Sequence, residues 1–560
     1  MSTPTEDDLS NGSGPSALAV EHLISSDVGY PLSAKAQVLA DPDRLKEIFS
    51  LFGKITNQDL LLASLACHKF LEVVPRKQWV CLIKTIPSVI CKDGRFVANG
   101  ILLEEHLIRF DYYARRIKVL YMDAKTYNIV SYDVASFIAL YRQSTGFPIL
   151  QTLTFVFNDR LTQGVSTLFL LASGALSALT ISGVSSLDEF FATSLLHVTS
   201  IKSKQLVDLT LEGKLTHSTL DIMPKFNKIQ RLDINQSGVH HVMDLLSRMA
   251  HFENLRILTL TFPSRITSLP TTTPSTFAAE LPELYQLTLQ GGIRIVDHFL
   301  NSITAVQLAR ITIDLRGYNP SLGDEDLIRS IGRFFSSAPC VQYINIYGGI
   351  WRGSLSLPSN WFPDILAWRH LREVTVPLVP LAAHHLSLPG LPGQRWTLLE
   401  VIDLTGGFGE FGTSPLLLSQ IHLFVEHFPN LKQLSMPLSL RMDSSEIKRM
   451  GTHIKKERSC YKLQKLCLCP VIANLSAWGE DEHEGDSYSK QCSTEFGPLT
   501  HDITDLVVTS QFIDHIFPHL VELSMGKLFY VDAGWRTAFE VGVKTSQQTR
   551  MRVTRDHSCA

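Results

Sequence analysis

Gly407, Gly409 and Gly412 stand in the spacing G-x-G-x-x-G within "VIDLTGGFGEFGTSPLLLSQIHLF", between a strand-like run and a helix-like run. In such a setting backbone amides and a helix N-terminus can hold a dinucleotide pyrophosphate. The next strand-like run, "LKQLSM", ends without the acidic residue that would take a ribose hydroxyl, and it keeps the phase of its neighbours. A turn between strand and helix is therefore the better reading. His240-His241 and His384-His385 are adjacent pairs rather than i and i+4, so neither pair can face one metal from one side of a helix. His483 lies in the acidic stretch "WGEDEHEGDSYSK", which lacks calcium-loop spacing and reads as a solvated loop over residues 476–500. No G-x-S-x-G, Walker loop or H-E-x-x-H is present. The expectation is a non-catalytic chain with no metal site and no cofactor.

Composition points the same way. Forty-five per cent of the 560 residues are hydrophobic and 19% charged, enough to bury a large core. Lys and Arg number 51 against 54 Asp and Glu, a net charge of −3, which suggests neither a nucleic-acid footprint nor a polybasic membrane patch. The nine cysteines include no C-x-x-C pair and follow no secretory signal, so they read as reduced, mostly buried thiols of an intracellular protein, cytoplasmic and/or nuclear. Leu161 to Leu187 holds no charge, but its Ser, Thr and Gly content favours a buried helix and strand over a membrane span.

The elements that would position a site are repeated. "FPILQTLTF", "FENLRILTL", "LPELYQLTL", "FPNLKQLSM" and "FPHLVELSM" share one phrase, apolar-x-x-apolar-x-apolar. Its first apolar positions run Leu150, Leu176, Leu206, Ile229, Leu255, Leu284, Leu308, Val341, Leu371, Leu399, Leu431, Leu463 and Leu520. The first twelve are spaced by about 28 residues on average, within the range of leucine-rich repeats. Bare apolar spacing is common in an apolar chain. The residue between the last two apolar positions decides more, because in a strand it faces away from both. Those residues are Thr154, Thr180, Thr210, Asp233, Thr259, Thr288, Thr312, Asn345, Thr375, Asp403, Ser435, Cys467 and Ser524; nine are Thr or Ser and none is large. A row of short parallel strands with one packed face and one open face needs such residues. Between the strands, segments such as "VHHVMDLLSRMAHF" carry apolar residues at helical spacing, and a Pro or aromatic residue ends each unit.

Over residues 114–530 this pattern resembles the leucine-rich repeat family, which implies strands lining one side of a solenoid and helices covering the other. Upstream, "EIFSLF", "DLLLASLACHKF" and "VVPRKQWVCL" resemble the F-box, and "FDYYARRIKVLYM" resembles the segment by which fungal F-box proteins lead into their repeats. The expected fold class is α/β: a leucine-rich-repeat solenoid preceded by a small all-α F-box-like module. The expected organisation is a disordered tail over 1–36, the helical module over 37–90, repeats over 91–530, and a C-terminal tail or cap over 531–560.

The resemblance implies that Leu45, Ile48, Phe49, Leu60, Leu62, Leu65, Cys67 and Phe70 bury against a Skp1-type adaptor, and through it reach a cullin. The same apolar stripe could instead pack on the first repeats. Strand alternation alone assigns Asp208, Glu212, Arg231, Arg310, Tyr343, Tyr347 and Glu373 to the surface that faces an unknown target protein, with Tyr and Arg as the anchors. The implied function is the substrate-recognition subunit of a Skp1-cullin-F-box ubiquitin ligase, with no nucleic-acid or membrane partner. The alternative is a leucine-rich-repeat binding scaffold that recruits no ligase.

Overall fold

The computed structural model describes residues 78–124, 130–142, 146–157, 170–236, 242–263, 279–315, 330–334, 337–348, 370–376, 397–404, 417–418, 421, 428–438, 444–454, 462–470, 503–525 and 533–558. The chain divides into two compact units, Met1–Cys81 and Leu82–Ala560.

The described chain begins with the helix Gln78–Ile83 and continues into an antiparallel hairpin of β1 (Val89–Lys92) and β2 (Arg95–Ala98). The small all-α module expected over 37–90 is thereby corrected, because its C-terminal end is strand and the boundary at 90 cuts a hairpin. The cause is local. Asp93 and Gly94 both take positive φ, 50° and 76°, the combination that a two-residue hairpin turn requires and that Asp-Gly supplies cheaply.

From there the fold is α/β, built on one large sheet. Its strands are β3 (Val119–Asp123), β4 (Thr152–Val156), β5 (Ala178–Val184), β6 (Asp208–Gly213), β7 (Arg231–Gln236), β8 (Ile257–Thr261), β10 (Gln286–Gly291), β12 (Arg310–Leu315), β13 (Tyr343–Gly348), β14 (Glu373–Thr375), β15 (Val401–Asp403), β16 (Gln433–Leu438), β17 (Lys465–Pro470) and β18 (Glu522–Met525). These fourteen lie in the order β18-β17-β16-β15-β14-β13-β12-β10-β8-β7-β6-β5-β4-β3. Every neighbouring pair is parallel. The dipeptides β9 (Ala279–Glu280) and β11 (Ile303–Thr304) pair separately.

The recurring phrase proves to be a turn joined to a strand. In "FPNLKQLSM" the amide of Leu431 donates to the carbonyl of Phe428 at 3.1 Å, and both side chains are buried. The same i to i+3 closure recurs at Phe147/Leu150, Phe252/Leu255, Leu281/Leu284 and Phe517/Leu520. Pro148, Pro282, Pro429 and Pro518 occupy the second position of four of these turns, where the fixed φ of proline fits. The residue before each strand then binds the next repeat twice: the carbonyl of Glu400, for example, accepts from the amides of Lys432 and Gln433 at 2.8 and 3.1 Å. Thirteen such carbonyls, from Lys118 to Gln464, make the same double contact. This device holds register from repeat to repeat although the connections differ in length.

One face of the sheet is core. Leu209 and Leu211, Leu287 and Leu289, Ile311 and Ile313, and their counterparts in other strands are essentially inaccessible to solvent. Each such side chain contributes about 1.5–3 kcal/mol by leaving water. Helices cover this face: Ile293–Ser302 turns Ile295, Val296, Phe299 and Leu300 inward, and the Phe299 ring stacks on Phe262 beyond β8 at 5.2 Å. Glu189–Lys202 carries its acid in the first turn and its base in the last, matching the helix dipole. Its Glu189 accepts from the Thr216 amide at 2.8 Å, tying two repeats together.

Of the apolar stretch Leu161–Leu187, residues 178–184 are the strand β5, and no helix of the described residues is long and apolar enough to cross a membrane. Among the described residues Cys91 is exposed, and Cys340 and Cys467 are partly so. Cys91 owes its exposure to its place on the hairpin, a ribbon of only two strands.

Candidate functional site

The opposite face of the sheet follows from alternation. Tyr121, Thr154, Thr180, Thr210, Asp233, Thr259, Thr288, Thr312, Asn345, Thr375, Asp403, Ser435, Cys467 and Ser524 pair in one unbroken register row across all fourteen strands. Neighbouring strands lie about 4.8 Å apart, so the row forms a close-set floor of the open face, small from Thr154 to Ser524 and bulky only at Tyr121 on the edge strand β3.

Two further rows flank it. Before the floor run Asp208, Arg231, Ile257, Gln286, Arg310, Tyr343, Glu373, Val401 and Gln433 in successive strands. After it run Glu212, Asn235, Thr261, Gln290, Asp314 and Tyr347. The seven residues assigned from alternation all lie in these rows: Asp208 beside Arg231, then Arg310, Tyr343 and Glu373 side by side, with Glu212 and Tyr347 in the later row. The Arg310 guanidinium lies over the Tyr343 ring at 4.2 Å, a cation–π contact that orients both. Tyr347 is 46% exposed.

The same alternation, carried through the later row, would also have marked Asn235, Gln290 and Asp314. Asn235 donates to Glu212 at 3.2 Å, and Thr261 donates to the Gln290 side-chain oxygen at 3.1 Å, so this row is a hydrogen-bonded rim. Lys465 and Glu522 pair at 3.0 Å at the far end of the sheet.

The electrostatics of the face are uneven. Over the described strands it carries eight carboxylates, Asp123, Asp208, Glu212, Asp233, Asp314, Glu373, Asp403 and Glu522, against Arg231, Arg310 and Lys465. Burial in the floor pushes the Asp233 carboxyl above the usual range; Arg231 opposes this, while Asp208 and Glu212 reinforce it. Burial raises the Tyr347 phenol as well, helped by Glu373, Asp403 and Asp314.

The Asp233 shift gives a signed expectation. Its folded-state value lies above its unfolded one, so stability falls as pH rises through the interval between them, and the loss persists at neutral pH. Asp233→Asn should therefore raise the melting temperature near neutral pH and give no gain below the ordinary aspartate range of about 3.9. Melts of both proteins at the two pH values check this, and an equal gain at both would show that charge is not the cause.

Leu45, Ile48, Phe49, Leu60, Leu62, Leu65, Cys67 and Phe70 lie outside the described residues, as do Gly407, Gly409, Gly412, His240, His241, His384, His385 and His483. Among the described residues no group of three or more His, Cys, Asp or Glu is placed to hold a metal ion.

No known protein family matches the chain, and no curated protein matches it. Among solved structures, a Bacteroides fragilis protein aligns with a TM-score of 0.24 and 13% identity, over 52% of this chain and 65% of that one. The match thus spans slightly less than two thirds of that protein's length. The Rad7 and Elc1 complex in yeast aligns with a TM-score of 0.28 and 14% identity, over 72% of this chain and 93% of that one. Likenesses of this size carry no functional argument, and the chain's own residues have to supply one.

Proposed function

We propose that the chain is a non-catalytic receptor that docks a protein on the open face of its parallel sheet. The observation that supports this is one register row across fourteen strands whose thirteen members from Thr154 to Ser524 are all small, rimmed by charged and aromatic residues. Such a floor leaves a wide surface at uniform depth, and the Tyr and Arg beside it are the residue types that most often anchor a protein interface. A photo-crosslinking residue at Thr312 is expected to trap a partner, whereas one at exposed Glu253, in a turn before β8, is not. The opposite pattern would remove the docking face.

The finer reading is that this receptor serves a ubiquitin ligase of the Skp1-cullin-F-box type, bringing a target near a ubiquitin-loaded enzyme and so raising its effective concentration. What supports it is the resemblance of the sequence between Asp41 and Val89 to an adaptor-binding segment. On that reading Ile48→Asp combined with Phe49→Asp places two charges in an apolar interface and lowers adaptor binding at least a hundredfold, a cost of about 3 kcal/mol. Co-purification of the full chain with a Skp1-type adaptor measures it. If the unaltered chain fails to retain the adaptor, or the double variant retains it fully, the ligase reading falls and the docking scaffold remains.

A further inference from the structure

The rows of the open face also specify the chemistry of what docks there. Resting on the docking reading, we propose that the bound segment is basic: a Lys- or Arg-rich stretch of a partner protein, laid across β12 to β15 with one cationic side chain over the Tyr347 ring.

Charge complementarity argues for this occupant. The chain as a whole is nearly balanced, yet the open face holds eight carboxylates to three cations over the described strands, so excess negative charge is concentrated on this side of the sheet. An acidic segment would bring like charge to this excess, whereas a basic one brings opposite charge.

The two tyrosines of β13 sharpen the position. Tyr343 already carries a cation, the Arg310 guanidinium at 4.2 Å from its ring centre. Tyr347 stands on the same strand and the same face, two rows on, with its ring exposed. Asp314 is its register neighbour on β12, and Glu373 and Asp403 lie on the next two strands, close enough for all three to act on its phenol. An exposed aromatic face among carboxylates suits a Lys or Arg side chain, which can take the ring and the carboxylates together. The chain itself shows the ring half of that contact one tyrosine earlier.

The test uses the full chain and two fluorescein-labelled peptides of equal length, one alternating Lys and Ser, the other alternating Glu and Ser. The Lys peptide should bind and the Glu peptide should not. Combined Asp314→Asn, Glu373→Gln and Asp403→Asn should weaken binding roughly tenfold, the scale of three exposed ion pairs. Tyr347→Ala should weaken it severalfold, while Glu253→Gln with Glu283→Gln, at exposed turn positions off this face, should leave it unchanged. Unaltered melting temperatures confirm that the variants fold.

Equal binding of both peptides, or full retention by the triple variant, would overturn the proposal, as would a dimer of the chain that the triple variant dissolves. The Thr312 crosslink separates this from the docking reading. Crosslinks into neutral or acidic partner segments would sink the basic occupant and keep the docking face, and loss of all open-face crosslinks would sink both.

Discussion

Gly213→Ala is expected to lower the stability of the folded chain by about 3–5 kcal/mol, the combined scale of left-handed backbone strain and overpacking against atoms that cannot move. Gly213 has φ +130°, and an added Cβ would collide with the Val184 carbonyl oxygen and stand 2.6 Å from its nitrogen and 2.8 Å from its Cα. All three are backbone atoms. They are held in place because β5 and β6 change register between Ile181 and Val184, after which Val184 pairs with Gly213, and the Lys214 amide donates to the Val184 carbonyl at 2.8 Å. Gly174→Ala is the matched comparison: its Cβ would meet nothing closer than 3.8 Å, and a change within about 0.5 kcal/mol is expected. Chemical denaturation of the two variants measures both, and equal small effects would mean that the strands can separate here at little cost. Because the register shift ends the later rim row between Ser182 and Glu212, this glycine also marks where that row stops on the open face.

Arg550→Ala should cost a further large amount, about 3–5 kcal/mol, as the loss of one partner of a mostly buried ion pair. Arg550 lies in the C-terminal helix Ala533–Ser558 and pairs with Asp514 of the helix Ile503–Ile516 at 2.7 Å, the two side chains being 14% and 11% exposed. The same guanidinium donates to the carbonyls of Asp514 and Pro518 at 3.1 and 2.5 Å, and Gln547 donates to that of Leu520 at 2.8 Å. Phe539 and Val543 of this helix are buried, so the segment expected as a tail or cap is helix packed on helix. Truncation takes the guanidinium away from a carboxylate that is largely out of water. Arg550→Met with Asp514→Asn removes the charge as well as its partner and should recover most of the stability. Should Arg550→Ala cost less than about 1 kcal/mol, the pair would be no better than an exposed one.

The floor of the open face was legible residue by residue. Thr154, Thr259, Thr288 and Thr312 announce themselves because side-chain direction in a strand alternates by local geometry, whatever the rest of the molecule does. The Phe-Pro and Leu-Pro pairs were visible as the ends of units, and the hydrogen-bonded closure shows them instead as turns that open the next strand. The hairpin at Asp93-Gly94 carried its own signal and was overrun by extending the helical spacing of the preceding residues to 90. Helical periodicity says where a helix can continue, not where a turn with positive φ interrupts it.

Harder to reach was the company that each rim residue keeps. Asp314 lies 33 residues before Tyr347, and Glu373 and Asp403 lie 26 and 56 residues after it. Which of them meet depends on pairing register across connections of unequal length, and a slip of one residue would turn every side chain to the other face. The sequence by itself determined which residues alternate outward and that the row between the apolar positions stays small, because strand geometry is local. Only the tertiary structure decided that carboxylates from separate repeats gather around one exposed tyrosine, and that β5 shifts register against Gly213. Both depend on hydrogen bonds between strands that no single repeat can specify.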